Sequence, residues 1–330
     1  MNLEIYGTLG PSCSERAIIE QLIQKGMTGM RLNLSHCNLD ERKEWIDAFH
    51  DACKAQNQHL DLLIDMRGPE LRTLDSSCPM ECMQDNEIIL DQKILPDLIL
   101  QHAEIDDILL IDDGKIQCKI LKKFQFKLHC QVLCPGTLKP RKNIAIKEKS
   151  LLGPVMTESD LMNLKLAKEY GVTSIMQPFV TCGQDLLSVR STLKKMHLED
   201  LKIYAKIENM EGVHHLEDIL PHCDVIVIAR GDLANACTLE KLPCIQKDIE
   251  ASCHLANKPY MVVTEMLHSM INHPVATRAE VSDIFHAVYH GASAIMLTAE
   301  TASGAYPVEA MHTFTQAAKH ALAYKKENKK

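Results

Sequence analysis

Short apolar runs alternate with amphipathic helical patterns along most of this 330-residue chain. Eight of these runs have the length expected of buried strands, and they are Leu3–Thr8, Gly29–Leu34, Leu60–Met66, Thr173–Gln177, Ile203–Ile207, Val225–Ala229, Tyr260–Thr264 and Ala294–Thr298. Strands that alternate with helices form a parallel sheet, because each crossover returns the chain to the same edge through a helix. The pattern therefore predicts an α/β fold, a (β/α)₈ TIM barrel.

Two of the intervening helices carry boundary signals. Ser12 and Glu15 have the spacing of a capping box that opens a helix, and Gly26 is the residue expected to stop it. Thr157, with Asp160 three residues later, is the predicted N-cap of a second helix.

One interval breaks the alternation. Between residues 73 and 148 the apolar runs are short and strand-like, with turn signals between them, and the runs are Glu87–Leu90, Ile108–Ile111, Ile116–Ile120 and Phe126–Val132. We expect a small β-rich, β-barrel-like domain, residues 73–148, inserted after the third barrel strand. The barrel would then comprise residues 1–72 and 149–330.

Composition restricts the partners and the compartment. The net charge is −8, which argues against binding to the phosphate backbone of a nucleic acid. No apolar run has the length of a membrane span, and the N-terminus has no signal-peptide pattern. We therefore expect a cytoplasmic protein with no nucleic-acid or membrane partner. Apolar residues make up 46% and aromatics 4%, so the core should be aliphatic.

The thirteen cysteines fit that compartment as reduced thiols, most of them small buried hydrophobes. Two pairs with three-residue gaps, Cys78 with Cys82 and Cys130 with Cys134, leave a zinc site open as an alternative.

Charged side chains follow two neighbouring predicted strands. Lys206 and Glu208 come at the end of one strand, and Asp232 follows the next. In a parallel barrel the carboxyl ends of the strands surround the active site. One cation and two carboxylates suit a magnesium ion that carries a phosphorylated substrate. The alternative is a structural ion pair at the barrel mouth.

Nine segments resemble the pyruvate kinase family in order and approximate spacing, over nearly the whole chain. They are TLGPSCSE (8–15), GMRLNLSHC (29–37), LIDMRGPELRT (63–73), IDDGKI (111–116), AKIENMEGV (205–213), IARGDL (228–233), TEMLHSM (264–270), PVATRAEVSD (274–283) and IMLTAETASGAYP (295–307). The resemblance implies a TIM barrel whose insertion after strand three is a lid domain.

The resemblance also implies the activity. A pyruvate kinase moves a phosphoryl group from phosphoenolpyruvate to ADP, giving pyruvate and ATP in glycolysis. Lys206, Arg31 and Thr264 match the family's catalytic positions, while Gly231 and Asp232 complete the substrate site. Lys206 would offset charge on the transferring group, Arg31 would hold phosphate and Thr264 would contact the substrate carboxylate.

Metal and nucleotide positions carry over in the same way. The family's magnesium ligands match Glu208 and Asp232, and its potassium ligands match Asn33, Ser35, Asp65 and Met66. Met66 stands in place of a threonine and would act through its backbone carbonyl. Glu70 lies where the potassium-dependent branch of the family has a glutamate. The residues expected to contact nucleotide are Thr8, Pro11, Asn33, His36, Arg72 and Lys142.

Several positions depart from the family pattern. Arg67 replaces a lysine, Pro178 a serine, Glu265 a glutamine, Thr298-Ala299 a serine-glycine pair and Ser303 a lysine. The added acid and the missing lysine keep open a second interpretation, a catalytically impaired pseudoenzyme or binding protein. A magnesium-dependent lyase acting on pyruvate enolates is a third, but such an enzyme would need neither Lys206 nor the lid.

The resemblance stops near residue 325, where the family usually continues into a C-terminal effector domain. We therefore expect no effector activation of the usual kind. An oligomer, if one forms, is expected to be a homodimer through barrel surfaces.

Overall fold

A computed structural model describes residues 3–35, 37–68, 71–74, 79–112, 114–147, 149 and 153–328. In chain order its strands are β1 (Glu4–Leu9), β2 (Gly29–Asn33), β3 (Asp61–Asp65), β4 (Met80–Cys82), β5 (Glu87–Asp91), β6 (Ile108–Ile111), β7 (Ile116–Phe124), β8 (Lys127–Cys134), β9 (Gly136–Leu138), β10 (Ile144–Ile146), β11 (Ser174–Gln177), β12 (Lys202–Ile207), β13 (Val225–Ala229), β14 (Tyr260–Val263) and β15 (Ala294–Met296).

Eight of these strands close a parallel barrel, in the order β1-β15-β14-β13-β12-β11-β3-β2. The predicted TIM barrel is therefore confirmed, with each strand displaced by at most two residues at either end. Side chains that point inward fill the barrel as a separate cluster, which includes Tyr6, Leu63, Met176, Tyr204 and Met261. A filled interior leaves the carboxyl ends of the strands as the place for chemistry.

The helices cover the outside of the barrel, except the short helix Asp97–His102, which lies between β5 and β6 in the chain and does not pack on the barrel. They are α1 (Arg16–Gln24), α2 (Lys43–Ala55), α3 (Asp97–His102), α4 (Glu158–Leu166), α5 (Gly183–Lys195), α6 (Met210–His214), α7 (Leu216–Ile219), α8 (Arg230–Ala236), α9 (Leu242–Leu255), α10 (Arg278–His290), α11 (Ala299–Ala302) and α12 (Pro307–Glu327). No helix among the residues described is both long and apolar enough to cross a membrane.

One predicted helix start is wrong and the other is confirmed. Ser12 lies inside a 3₁₀ turn, Pro11–Cys13, and the N-cap of α1 is Glu15, without a side-chain cap. Proline fixes a backbone angle suited to the first position of such a turn, and the turn occupies the residues expected to form the capping box. Thr157 does cap α4, in a reciprocal box with Asp160.

Between β3 and β11 the chain forms two further sheets, which we call the insertion (Met80–Ile146). One has the order β10-β6-β7-β8-β5 and the other pairs β4 with β9. The four strands predicted here are present, and the short helix α3 was not predicted. The insertion has its own core, in which Leu90, Ile99, Ile111 and Cys118 are buried.

Each cysteine that the structure describes is a free thiol. Cys82 and Cys130 are buried in the core of the insertion, and burial raises the pKa of the Cys130 thiol to about 12. No group of three or more His, Cys, Asp or Glu among the described residues is arranged to hold a metal. The zinc alternative has no support there, although Cys78 lies outside the described residues.

Thr73 joins the segment after β3 to the loop between β9 and β10 of the insertion. Its N–H donates to the Lys142 carbonyl at 2.7 Å, and its hydroxyl donates to the Lys139 carbonyl at 2.9 Å. The Lys142 N–H in turn donates to the Thr73 hydroxyl at 2.9 Å. These bonds hold the segment that contains Thr73 beside the loop that contains Lys139 and Lys142.

Candidate active site

A cavity of about 460 Å³ lies between the carboxyl ends of the barrel strands and the insertion. Its walls are polar and charged, and the residues that line it are Arg31, Asn33, Ser35, Asp65, Met66, Arg67, Arg72, Asp112, Lys115, Pro140, Arg141, Lys142, Asn143, Pro178, Phe179, Lys206 and Asp232. Most of the residues predicted for substrate, potassium and nucleotide therefore meet at one place.

Lys206 lies at the centre of the charges on the barrel side. Its Nζ is 2.8 Å from Glu208 Oε1 and 3.4 Å from Asp65 Oδ1, and its side chain is 14% exposed. Burial alone would lower the pKa of this ammonium. The charges of Asp65 and Glu208 outweigh that effect and hold the pKa above its ordinary value. Lys206 is therefore a fixed cation at neutral pH.

Arg31 is oriented from the neighbouring strand by the same carboxylate. Both Nε and Nη2 of Arg31 donate to Asp65 Oδ2, at 2.9 and 2.6 Å, and Nη1 donates to the Thr8 hydroxyl at 3.3 Å. A guanidinium has five N–H groups. These contacts use three of them, and the remainder can serve an anion in the cavity.

Glu208 is buried. Its Oε2 accepts a hydrogen bond from the Phe179 N–H at 2.8 Å, and its Oε1 forms an ion pair with the Lys206 ammonium but has no well-oriented hydrogen bond among the described residues. Burial raises the pKa of this carboxyl, Lys206 partly offsets the effect, and the charges of Asp232 and Asp65 raise it further. A buried carboxylate oxygen whose hydrogen-bonding capacity is not filled, near the charge of a second carboxylate, fits a magnesium ligand.

The four residues expected to bind potassium lie together at the ends of β2 and β3. Asn33 and Asp65 are register partners on adjacent strands, and Ser35 and Met66 line the same cavity. Asn33 Oδ1 accepts from the Ser35 N–H at 3.1 Å, which holds that loop in place. Carbonyl, hydroxyl and carboxylate oxygens are the ligands that hard cations require, so the donor set fits potassium.

Gly231 and Thr264 contact each other directly. The Gly231 N–H donates to Thr264 Oγ1 at 2.9 Å, and that hydroxyl donates to the Val263 carbonyl at 2.6 Å. The Gly231 N–H expected to approach a substrate carboxylate is thus already bonded to Thr264. Thr264 and Glu265 both have left-handed backbones, with φ of 72° and 53°, a conformation that costs about 1–3 kcal/mol per residue.

Basic side chains face the barrel from the insertion. Lys142 Nζ lies 2.9 Å from Asp112 Oδ1, and Lys115 Nζ lies 3.6 Å from the same oxygen. Burial would raise the pKa of Asp112, but its bond with Lys142 and the charges of both lysines lower it. Arg72 Nη1 donates to the Arg141 carbonyl at 2.8 Å, which places its guanidinium on the same wall.

Some predicted nucleotide positions are not on this wall. Thr8 is 3% exposed, and its hydroxyl donates to the Leu297 carbonyl at 2.9 Å. Pro11 is exposed at the start of its 3₁₀ turn. Neither belongs to the described lining of the cavity. His36 and Glu70 lie outside the described residues.

Some of the residues that depart from the family pattern line the cavity, and others lie on the protein surface. Arg67 and Pro178 line the cavity. Pro178 packs over Gly68, whose φ is 60°, and a Cβ added to Gly68 would lie 2.3 Å from the Pro178 ring. Glu265 and Ser303 are exposed, and Thr298 donates its hydroxyl to the buried Glu300 at 3.1 Å.

Several residues of the site received no role from the sequence, and among them are Asp112, Phe179 and Arg230. Asp112 and Arg230 lie within the quoted segments IDDGKI and IARGDL, which could have drawn attention to them. Phe179 acts through its backbone N–H, and no residue type signals such a contact.

Comparisons with known proteins agree with the fold. The family model described as pyruvate kinase, barrel domain, matches residues 1–311. A pyruvate kinase of Sporosarcina psychrophila is 34% identical over 328 residues, which cover 96% of this chain and 56% of that protein. One of Staphylococcus aureus (strain MRSA252) is 33% identical and covers 98% of this chain and 58% of its own length.

A solved structure agrees as well. The crystal structure of a pyruvate kinase from Cryptosporidium parvum superimposes with a TM-score of 0.87 at 30% identity, covering 98% of this chain and 69% of that one. The chain spans little more than half the length of the two curated relatives, 56% and 58%. With a matching family model over residues 1–311, the chain belongs to the pyruvate kinase family.

Proposed function

We propose that this chain transfers a phosphoryl group from phosphoenolpyruvate to ADP, producing pyruvate and ATP. One observation carries the proposal: four cations, Lys206, Arg31, Arg72 and Lys142, line a single cavity. Two anionic substrates that exchange a phosphoryl group need positive charge on both sides of the transfer.

Lys206 is the residue assigned to the transferring group. Asp65 and Glu208 keep its ammonium protonated, and burial excludes the water that would screen its charge. In a loose phosphoryl-transfer transition state, charge spreads over the three peripheral oxygens. A cation that is already held in place stabilises that charge without reorganising.

Arg31 and Thr264 hold the two ends of phosphoenolpyruvate in this proposal. Arg31 would bind the phosphate with the N–H groups that Asp65 and Thr8 do not use. Thr264 and Gly231 would contact the carboxylate, by exchanging their mutual hydrogen bond for bonds to the substrate. Fixing both ends aligns the phosphoryl group with the nucleotide.

Glu208 and Asp232 are the proposed magnesium ligands, and Asn33, Ser35, Asp65 and Met66 are the proposed potassium ligands. When bound, the two cations would neutralise phosphoryl charge as hard ions. The buried Oε1 of Glu208, which has no well-oriented hydrogen bond among the described residues, supports the first site, and the shared oxygen-rich wall supports the second.

The nucleotide is assigned to the insertion side, where Arg72 and Lys142 would contact its phosphates. Residues 73–148 would then act as a lid domain on the barrel, residues 1–72 and 149–330. Asp112 holds Lys142 by an ion pair of 2.9 Å. Asn33, at the barrel edge of the cavity, would complete the contacts.

The test is pyruvate formation from phosphoenolpyruvate and ADP with magnesium, in the presence and absence of potassium. Lys206→Met is expected to abolish turnover while keeping the fold. Lys202→Met is the matched control, because Lys202 lies at the other end of the same strand and its side chain is 51% exposed.

Each outcome is informative. Turnover in the wild type that Lys206→Met abolishes and Lys202→Met preserves supports the kinase. Near-normal turnover in Lys206→Met contradicts the assigned role. A folded wild type that binds ADP without turnover indicates the binding protein instead, and enolate cleavage without nucleotide indicates the lyase.

A further inference from the structure

The turn after β14 is strained, and it carries Thr264. Thr264 and Glu265 are consecutive non-glycine residues in the left-handed region, with φ of 72° and 53°. For a β-branched residue such as threonine this conformation is a clear outlier. It persists only where surrounding contacts determine it, so some group must hold the turn.

Arg230 is the group in contact with this turn. Its Nη2 donates to the Thr264 carbonyl at 2.7 Å and lies 3.0 Å from Met266 Sδ, while its Nη1 donates to Asp283 Oδ2 at 2.7 Å. The Arg230 side chain is only 13% exposed. One guanidinium therefore joins the residues on both sides of Glu265 to helix α10.

The contacts continue towards the cavity. Arg230 begins α8, and the next residue, Gly231, donates its N–H to the Thr264 hydroxyl at 2.9 Å. The Arg230 side chain thus holds the Thr264 carbonyl, while the backbone N–H of Gly231 holds the Thr264 hydroxyl. Asp232, which lines the cavity, follows directly in the same helix.

We infer that Arg230, anchored by Asp283, is a positioning residue that holds the Thr264 turn in its active shape. It contacts no substrate in this inference and acts through Thr264 and Gly231. The inference rests on the proposed function, because it matters for turnover only if Thr264 contacts substrate. Loss of the guanidinium would let the turn relax and move the Thr264 hydroxyl.

The kinetic test compares Arg230→Met, Arg230→Lys and Asp283→Asn with the wild type. Misplacing a substrate contact by about 1 Å costs about 100-fold in rate, and we expect a loss of that order in kcat/KM for phosphoenolpyruvate in Arg230→Met. The KM for ADP should stay unchanged. Arg230→Lys can keep one of the two bonds and should recover part of the rate. The kcat/KM of Asp283→Asn should lie between those of the wild type and Arg230→Met.

Arg190→Met is the matched control. Arg190 also joins an aspartate, Asp224, to a backbone carbonyl, that of Leu201, but it lies at the amino-terminal ends of the strands. A purely structural effect would lower kcat in both methionine variants or in neither. Unchanged phosphoenolpyruvate kinetics in a folded Arg230→Met variant would overturn the inference.

A second readout needs no turnover. Hydrogen exchange of the peptide that contains the Gly231 amide should speed up in Arg230→Met and stay unchanged in Arg190→Met. If the wild type has no kinase activity, this measurement still decides the positioning role. Unaltered exchange in Arg230→Met would contradict it whatever the activity.

Discussion

The carboxylate of Asp65 accepts two hydrogen bonds from Arg31 on one oxygen, Oδ2, at 2.9 and 2.6 Å. The arginine comes from β2 and the aspartate from the end of β3. Their side chains are 11% and 2% exposed, so the pair is largely removed from water. The other carboxylate oxygen lies 3.4 Å from Lys206 Nζ. One carboxylate thus orients both cations assigned to the phosphoryl group.

The first prediction concerns the neutral isostere Asp65→Asn. Removing one member of a buried ion pair leaves the other charge uncompensated, which costs about 3–5 kcal/mol. Because the cavity admits water to Arg31, we expect a loss near the lower figure in the free energy of unfolding, measured by urea denaturation. Asp47→Asn, in an exposed pair with Lys43, is the control and should cost less than about 1 kcal/mol. Equal losses in the two variants would contradict the prediction.

The second prediction concerns Gly231→Ala. A Cβ at this position would have its nearest neighbours at 3.7–3.9 Å, all atoms of Thr264, so the methyl group fits the free protein. Stability should change by less than about 1 kcal/mol. If the substrate carboxylate approaches this backbone, the methyl group blocks it, and kcat/KM for phosphoenolpyruvate should fall about 10- to 100-fold.

Asn235→Ala is the control for that variant, since Asn235 is an exposed residue of the same helix α8. Thermal unfolding reports the stability of both variants and initial rates report the kinetics. A Gly231→Ala enzyme with unchanged phosphoenolpyruvate kinetics would remove Gly231 from the substrate site.

The third prediction concerns potassium. Ser35→Ala removes a hydroxyl from the proposed site. It keeps the backbone N–H of residue 35, which donates a hydrogen bond to Asn33 Oδ1. Losing even an indirect partner of a metal ligand typically weakens affinity about 10-fold or more. We expect the potassium concentration for half-maximal activity to rise at least that much. Ser188→Ala, on the exposed side of α5, should leave it unchanged. Equal potassium responses in both variants would exclude Ser35 as a ligand.

Much of the fold follows from periodicity in the sequence. The run Val225–Ala229 is buried at each position, as a barrel strand requires, and both its limits were predicted. Lys206 and Glu208 are two residues apart at a strand end, and their charged atoms meet at 2.8 Å. The local sequence pattern predicts such features, because each depends only on residues close in the chain and on the alternation of side chains along a strand.

Contacts between separate loops could not be predicted in that way. Arg230 contacts Thr264 and Asp283, and the Phe179 N–H contacts Glu208, between segments far apart in the chain. Residues 179, 264 and 265 also take left-handed backbones. Nothing in a phenylalanine, threonine or glutamate favours that conformation. Tertiary packing imposes it, so the sequence could place Thr264 at the site but could not indicate what orients it.

The last prediction concerns pH and the start of α10. Glu280 accepts bonds from the N–H and hydroxyl of Ser269 and of Thr277, at 2.6–2.9 Å. Burial would raise the pKa of this carboxyl, but the bonds to Ser269 and Thr277 lower it below its ordinary 4.5. A lowered pKa in the folded state means that the ionised carboxylate stabilises the fold above pH 4.5. That contribution is lost as pH falls through the folded-state value.

Glu280→Gln should therefore destabilise the protein by about 1–2 kcal/mol at pH 7, the usual cost of losing a helix cap and its charged acceptor. The difference from wild type should shrink as pH falls from 5 to 3, about the range in which a glutamate carboxyl takes up its proton. Urea unfolding at each pH measures both free energies. Glu20→Gln, which removes the charge of the surface pair with Arg16, is the control for the change in the free energy of unfolding. A Glu280→Gln deficit that stays constant down to about pH 3 would mean that the side chain acts by shape and not by charge.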